Sequence, residues 1–248
     1  MAVKVCVLTG YGINADNELV TAFNKVGAEA EKVHINDFIE NPALLRNYSI
    51  AGFSGGFSFG DHLGSGLVYA ELFKKNLKDE LDRFIADGKL IIGICNGFQV
   101  LVKMGVLPNL HGDWTQEVSL VHNNSGVFED SWVNLKFNPD SPCVWTKGLD
   151  TMDVPIRHGE GRFITDSPEI MERLKKENLI AIRYNGRNPN GSQEDIAGIT
   201  DPTGHILGLM PHPEAFIFPE NHPKWTRKTI SEGEGLKIFR NGVSFFGK

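Results

Sequence analysis

The chain has 248 residues, of which 41% are hydrophobic and 23% charged, and its formal net charge at pH 7 is -6. This length suits one large α/β domain or two small ones, and the acidic balance argues against a nucleic-acid-binding surface. The three cysteines, Cys6, Cys95 and Cys143, are too far apart for a disulfide framework or a metal site and favour a reducing compartment. Because no apolar run has the length of a membrane span and the N-terminus lacks a signal-peptide pattern, we expect a cytoplasmic protein without a membrane partner.

The first half of the chain alternates predicted strands with predicted helices. Apolar residues predict strands over residues 3–8, 48–53 and 90–94, and a further strand is predicted over residues 29–35. Helical spacing of apolar residues predicts helices that begin near residues 14–16, at residue 63 and at residue 97. Strands that alternate with helices in this way favour a parallel sheet with helices on both faces.

The second half is richer in predicted strands. We expect an antiparallel pair over residues 114–121 and 131–137, a glycine-interrupted strand over 154–164, and a hairpin formed by 196–200 and 206–210. A final amphipathic helix is predicted over residues 224–240. Since no linker, repeat or low-complexity stretch divides the sequence, we predict a single domain over residues 1–248.

Cys95 lies between an apolar strand and a helix, in the stretch Gly93-Ile-Cys-Asn-Gly97. The two glycines allow a sharp turn, as in a nucleophile elbow, which exposes a reactive side chain at the carboxyl end of a parallel sheet. The N-terminus of the helix would favour a thiolate and would offer N–H groups, beginning at Asn96, to an oxyanion. The alternative is a buried structural cysteine, because free cysteines are among the most buried residues.

Two adjacent glycines, Gly55 and Gly56, follow the predicted third strand. They allow backbone N–H groups to approach a ligand closely. A phosphate cradle is one interpretation of this loop, although the GK[ST] ending of a P-loop is absent. An ordinary turn is the other.

His212 and Glu214 directly follow the predicted hairpin, in Pro211-His-Pro-Glu214. In an extended segment, residues two positions apart point to the same side, so the carboxylate can orient the imidazole. A cysteine nucleophile needs such a partner, and Cys95, His212 and Glu214 fill the three roles of a triad. Alternatives are a loop histidine without a role and the similar pair His158 and Glu160, which lies between glycines. A zinc site is not expected, because histidines and cysteines are not clustered.

The joint pattern resembles the class I (triad) glutamine amidotransferases and, within them, is similar to the glutaminase subunits of phosphoribosylformylglycinamidine synthases. Its motifs span most of the chain: Gly55-Gly-Phe-Ser-Phe-Gly-Asp61, Cys95-Asn-Gly-Phe-Gln99, His158-Gly-Glu-Gly-Arg-Phe163, Asn188-Pro-Asn-Gly-Ser192 and Met210-Pro-His-Pro-Glu214. The resemblance implies a flavodoxin-like α/β fold, with a mostly parallel central sheet, helices on both faces and an antiparallel extension.

The resemblance also implies a reaction and a set of site residues. The Cys95 thiolate would attack the side-chain amide of L-glutamine, His212 would transfer protons, and Glu214 would orient His212. Two backbone N–H groups would form the oxyanion hole, those of Gly56 and Asn96. Three residues would contact the substrate: Gly55, Gln99 and Asn124.

The ammonia implied by this reaction needs an acceptor on another chain. The resemblance implies a synthetase subunit that carries ATP and magnesium and converts formylglycinamide ribonucleotide to the amidine in purine biosynthesis, possibly with a small third subunit. No cofactor or metal is expected in this chain, and we expect the chain alone to hydrolyse glutamine poorly. The alternatives are a nucleotide- or flavin-binding module of flavodoxin-like fold and a cysteine peptidase-like member of the same superfamily.

Overall fold

The computed structural model describes residues 2–247, so Met1 and Lys248 lie outside the described residues. The strands are β1 Lys4–Thr9, β2 Glu29–His34, β3 Ile50–Phe53, β4 Leu90–Ile94, β5 Val118–Val121, β6 Glu129–Phe137, β7 Thr151–His158, β8 Arg162–Thr165, β9 Ile180–Tyr184, β10 Ile196–Thr200 and β11 Ile206–Leu209. The α-helices are α1 Asp16–Lys25, α2 Ile35–Glu40, α3 Leu67–Ala86, α4 Asn96–Met104, α5 Pro168–Lys176 and α6 Leu236–Ser244.

Nine strands form one central sheet in the order β2-β1-β3-β4-β11-β10-β9-β6-β7. The strands from β2 to β11 pair in parallel, and those from β11 to β7 pair antiparallel. The predicted α/β fold class, with its parallel core and antiparallel extension, is confirmed. Four successive reversals bring β7 back to the direction of β4, so the carboxyl ends of β1, β3, β4, β11 and β7 lie at one edge of the sheet.

The core lies on both faces of the central strands. All five residues of β4 are buried, as expected for a strand covered on both sides. On one face α1 packs against α6, where Trp145 is fully buried and its ring lies 6.4 Å from that of Phe23. Helices α3 and α4 pack against each other in a separate contact. Buried residues of both halves form one cluster, while the single domain over residues 1–248 stays a prediction.

Two predictions for the second half of the chain are wrong, one of a strand pairing and one of a single strand. The strand predicted over 114–121 pairs, as β5, with β8 in a separate two-stranded sheet, whereas β6 pairs with β7 and β9. The single strand predicted over 154–164 is two strands, β7 and β8, in different sheets. Gly159 and Gly161 flank the break, and the loop between the two strands lies beside the site described below.

The prediction of a final helix over residues 224–240 is also wrong. The observed helix α6 begins at Leu236, and residues 222–235 form an irregular segment. Two glycines allow this segment to pack on the chain that follows His212: a Cβ on Gly235 would lie 1.9 Å from the Pro213 carbonyl oxygen, and one on Gly233 would lie 2.4 Å from the backbone of Ile217. Close backbone contact therefore overrides the helical pattern of the sequence. Among the described helices, none combines the length and apolarity needed to cross a bilayer.

Candidate active site

Cys95 is the one residue between β4 and α4, and it turns the chain. Its own backbone has φ 52° and ψ -108°, an unfavourable conformation for an L-residue. The glycines on either side act differently from the prediction, because they permit close approach rather than the turn itself. A Cβ on Gly97 would lie 2.0 Å from the Phe53 carbonyl oxygen, and one on Gly93 would lie 2.8 Å from the Gly97 carbonyl oxygen.

His212 and Glu214 form a buried pair next to Cys95. The imidazole Nδ1 lies 2.5 Å from Glu214 Oε1, and both side chains are almost fully buried. A Cβ on Gly55 would lie 3.0 Å from Cε1 of His212 and 3.6 Å from Cβ of Cys95, so the two side chains are close neighbours. The His212 N–H donates to the Pro155 carbonyl oxygen of β7 at 2.8 Å, which fixes the loop after β11 against the sheet.

The charges around His212 favour its protonated form. Burial by itself lowers the pKa of the imidazole, but the Glu214 carboxylate and the Cys95 thiolate outweigh burial and raise the pKa of His212 to about 10. The thiol of Cys95 can also donate to the Arg157 carbonyl oxygen at 3.6 Å. Since Glu214 takes Nδ1, Nε2 is the nitrogen left to exchange a proton with substrate.

The glycine loop after β3 is hydrogen-bonded to the start of α1. The Gly55 carbonyl oxygen accepts hydrogen bonds from the N–H groups of Asn14 and Ala15, at the start of α1. In a trans peptide the C=O and the next N–H point in opposite directions, so the Gly56 N–H points away from α1. Gly56 has φ 144°, and a Cβ there would lie 2.8 Å from backbone atoms of residues 12–14. Only glycine fits this position.

Asn96 and Gln99 lie in the first turn of α4 and are both buried. The Gln99 N–H donates to the Cys95 carbonyl oxygen at 3.1 Å, and the Gln99 side chain donates to the Glu160 carbonyl oxygen at 2.6 Å. Gln99 thus connects the nucleophile turn to the loop between β7 and β8. The Asn96 side chain donates to Gln99 Oε1 at 2.9 Å, a contact that the sequence did not suggest.

Asn124 lies apart from the other predicted residues. Its side chain is exposed and accepts a hydrogen bond from Arg162 at 2.6 Å, and no hydrogen bond among residues 2–247 joins it to Cys95, His212 or Gln99. Its predicted contact with substrate stays a prediction. The neighbouring Asn123 is buried and donates to the His158 carbonyl oxygen at 2.8 Å.

His158 is not paired with Glu160, the alternative suggested by the sequence. Its Nδ1 lies 3.1 Å from Asn123 Oδ1, which also accepts the Gly161 N–H. Burial and the positive charge of His212 lower the pKa of His158 to about 4, so this imidazole is neutral at pH 7. A neutral histidine held by an amide cannot replace the His212–Glu214 pair as a charged partner of Cys95.

Comparison with known proteins identifies the family. The model of the CobB/CobQ-like glutamine amidotransferase domain matches residues 2–246. The chain is 44% identical to the phosphoribosylformylglycinamidine synthase subunit PurQ of Methanococcus maripaludis, over 99% of this chain and 98% of the relative. It is also 44% identical to the subunit of that name in Dehalococcoides mccartyi, over 98% and 97%. The chain belongs to the PurQ family of glutamine amidotransferases.

A solved structure agrees with this assignment. A chain of the structure described as PurLQS from Thermotoga maritima superimposes with a TM-score of 0.74 and 30% identity, covering 99% of this chain and 100% of that chain. The predicted resemblance is therefore confirmed, and so is the prediction of a glutamine amidotransferase enzyme. The structure brings together seven of the eight predicted site residues, which are Gly55, Gly56, Cys95, Asn96, Gln99, His212 and Glu214.

Proposed function

We propose that this chain hydrolyses L-glutamine through a thioester on Cys95 and delivers the ammonia to a synthetase subunit of phosphoribosylformylglycinamidine synthase. One observation carries the proposal: a cysteine in a strained turn adjoins a buried histidine whose Nδ1 lies 2.5 Å from a buried carboxylate. This arrangement supplies a thiolate, a proton donor and a group that orients the donor. The family of the chain supports glutamine as the substrate.

The first half-reaction begins with Cys95 as the thiolate and His212 protonated. The Cys95 sulfur attacks the side-chain carbonyl carbon of glutamine, so a C–S bond forms and the carbonyl oxygen becomes an oxyanion. The N–H groups of Gly56 and Asn96 stabilise that oxyanion, each contributing about 3–4 kcal/mol in comparable sites. His212 then gives its Nε2 proton to the amide nitrogen, the C–N bond breaks, and ammonia leaves a thioester on Cys95.

The second half-reaction restores the Cys95 thiolate and the protonated His212. The neutral His212 takes a proton from water, the resulting hydroxide adds to the thioester carbon, and the C–S bond breaks. The product is the γ-carboxylic acid, which loses its proton to solvent and leaves as glutamate, and the Cys95 thiolate beside a protonated His212 is the starting state. Glu214 stabilises the imidazolium in both halves, and no metal or cofactor takes part in these steps.

The ammonia must reach its acceptor before it is protonated in bulk water, so we propose that the synthetase subunit covers the mouth of the site. Two aromatic rings on opposite loops support this. Phe57 follows the oxyanion glycine, Phe128 packs near Gly159, and their ring centroids are 6.3 Å apart. Both are about half exposed, as is Tyr11 on the loop after β1.

These exposed rings form an apolar rim, composed of Tyr11, Phe57 and Phe128, at the carboxyl edge of the sheet. Large exposed aromatic residues are enriched at protein interfaces and are common binding hot spots. The Phe57 N–H donates to the Gly12 carbonyl oxygen at 2.8 Å, which joins the loop after β3 to the loop after β1 that carries Tyr11. ATP and magnesium would bind the synthetase subunit. A small third subunit would belong to the same complex, and no residue of this chain is assigned to its binding.

The proposal is tested by intact-mass spectrometry after exposure to 6-diazo-5-oxo-L-norleucine, a glutamine analogue that alkylates a nucleophilic cysteine. We expect a single adduct on the wild-type chain and none on Cys95→Ala. Cys143→Ala is the matched control, since Cys143 is buried and burial raises the pKa of its thiol. That variant should be labelled like the wild type.

Other outcomes separate the alternatives. Labelling of Cys95 by iodoacetamide but not by the glutamine analogue would contradict glutamine specificity and favour a peptidase-like member of the superfamily. No labelling by either reagent, together with flavin absorbance in the purified protein, would favour the flavodoxin-like nucleotide module.

A further inference from the structure

The side chain of Asn96 makes three hydrogen bonds, which use both of its N–H donors and one lone pair of its oxygen. Its Oδ1 accepts the Ser58 N–H at 3.2 Å, and its Nδ2 donates to Gln99 Oε1 at 2.9 Å and to Asp61 Oδ1 at 3.3 Å. The residue is fully buried. An acceptor on one side and two donors on the other define the orientation of the amide, because a flipped amide would lose all three contacts.

The orientation of the Asn96 amide determines the orientation of the Gln99 carboxamide. Since Asn96 donates to Gln99 Oε1, the Gln99 Nε2 must face the Glu160 carbonyl oxygen, to which it donates at 2.6 Å. Each polar atom of the Gln99 carboxamide keeps one further position: a second N–H on Nε2 and a second lone pair on Oε1. A carboxylate can accept from the first, and an ammonium group can donate to the second.

The free end of glutamine carries those two groups, an α-carboxylate and an α-ammonium. We propose that Asp61 and Asn96 are positioning residues that hold the Gln99 carboxamide ready for the α-amino acid end of the substrate. The proposal rests on the glutaminase function proposed above. Asp61 lies in the loop after β3, and it also accepts the Gly66 N–H at 3.4 Å, so its carboxylate is held in place from two sides.

The role of Asp61 is to fix an amide and not to take part in the chemistry, so its loss should weaken binding with little effect on the chemical step. The test measures inactivation of the full chain by 6-diazo-5-oxo-L-norleucine, which carries the same α-amino acid end as glutamine. We expect Asp61→Ala to raise KI about tenfold, the effect of losing one charge-assisted hydrogen bond, with kinact within about twofold of the wild type.

Two variants distinguish this role from general destabilisation. Asp61→Asn retains an acceptor oxygen for Asn96 and should restore KI to near the wild-type value. Asp61→Ala added to Gln99→Ala should have no further effect, because the first residue acts through the second. Asp79→Ala, which removes an exposed carboxylate from α3, is the control and should change neither constant.

The proposal is overturned if Asp61→Ala leaves KI unchanged, lowers kinact alone, or raises KI equally in the Gln99→Ala background. If Asp61→Ala does not fold, Asp61→Ser, whose side chain is too short to reach Asn96, takes its place. A wild-type chain that forms no adduct would instead contradict the glutaminase function, so the two failures are distinct.

Discussion

Glu214 acts on the reaction through the charge of His212. The Glu214 carboxylate lies 2.5 Å from Nδ1 and is the larger of the two charges that raise the pKa of His212 to about 10 against the effect of burial. Glu214→Gln removes the larger of the two charges that offset burial, so the pKa of His212 should fall. The imidazolium that protonates the leaving amide nitrogen would then be lost at lower pH than in the wild type.

We expect the basic limb of the pH profile of kcat/KM for glutamine hydrolysis to move down by about two pH units in this variant. The measurement is the hydrolysis rate between pH 6 and 10, with Glu220→Gln, an exposed carboxylate of the same segment, as control. A basic limb at the same pH in both variants would contradict the role of Glu214.

At the residue scale the triad was predictable because Cys95 directly follows the apolar strand β4, and His212 and Glu214 lie within five residues of the end of β11. The polar contacts around the triad were not predictable. Asn123 and Asn124 are adjacent asparagines, and nothing in their pattern says which is buried. Asn123 turns inward because its side chain forms hydrogen bonds with the backbone of His158 and Gly161, at the loop between β7 and β8.

At the scale of elements, β4 and α4 are joined so tightly that glycine is required in the helix. Gly97→Ala would normally stabilise a helix by up to about 1 kcal/mol. Here the added Cβ would lie 2.0 Å from the Phe53 carbonyl oxygen, so α4 must move away from β3. We expect a loss of more than about 2 kcal/mol in the free energy of unfolding.

Denaturation in urea measures this loss. Gly148→Ala is the control, because Gly148 has φ 74° with open space around it and should cost only about 1 kcal/mol of backbone strain. A loss at Gly97 no larger than that at Gly148 would mean that the contact with Phe53 is relieved at small cost, and it would contradict the requirement for glycine at position 97.

Of the five parallel strands, β1, β3, β4 and β11 could be read from the sequence because each is a short apolar run. The pairing of β5 with β8 could not, since strands 40 or more residues apart are brought together by tertiary packing that no local pattern records. The segment before α6 was misread for a related reason. Gly233 and Gly235 pack against the backbone of residues 213–217, a contact that the predicted helix over 224–240 did not anticipate.

At the scale of the whole molecule, the apolar rim gives the chain a surface suited to a partner. Tyr11→Ser and Phe128→Ser together should weaken binding of the synthetase subunit about 100-fold, the effect of losing two interface anchors. Labelling of Cys95 in the free chain should not change. Trp225→Ser, an exposed aromatic of the C-terminal segment, is the matched control.

The same titration, followed by glutamate release, tests whether the partner controls the reaction. Adding the synthetase subunit should raise the glutaminase rate of the wild type by more than about tenfold. Full activity in the isolated chain, or unchanged affinity in the double variant, would contradict the proposed docking surface.

Cys95 is held in a backbone conformation that costs an L-residue on the order of 1–3 kcal/mol. A glycine would adopt the same turn without that cost, and the fold would be easier to form, but the thiol would be gone. The position therefore records a compromise in which selection for reactivity has opposed selection for stability. Any effort to make this protein more heat-resistant should leave this turn alone and seek its gains elsewhere in the chain.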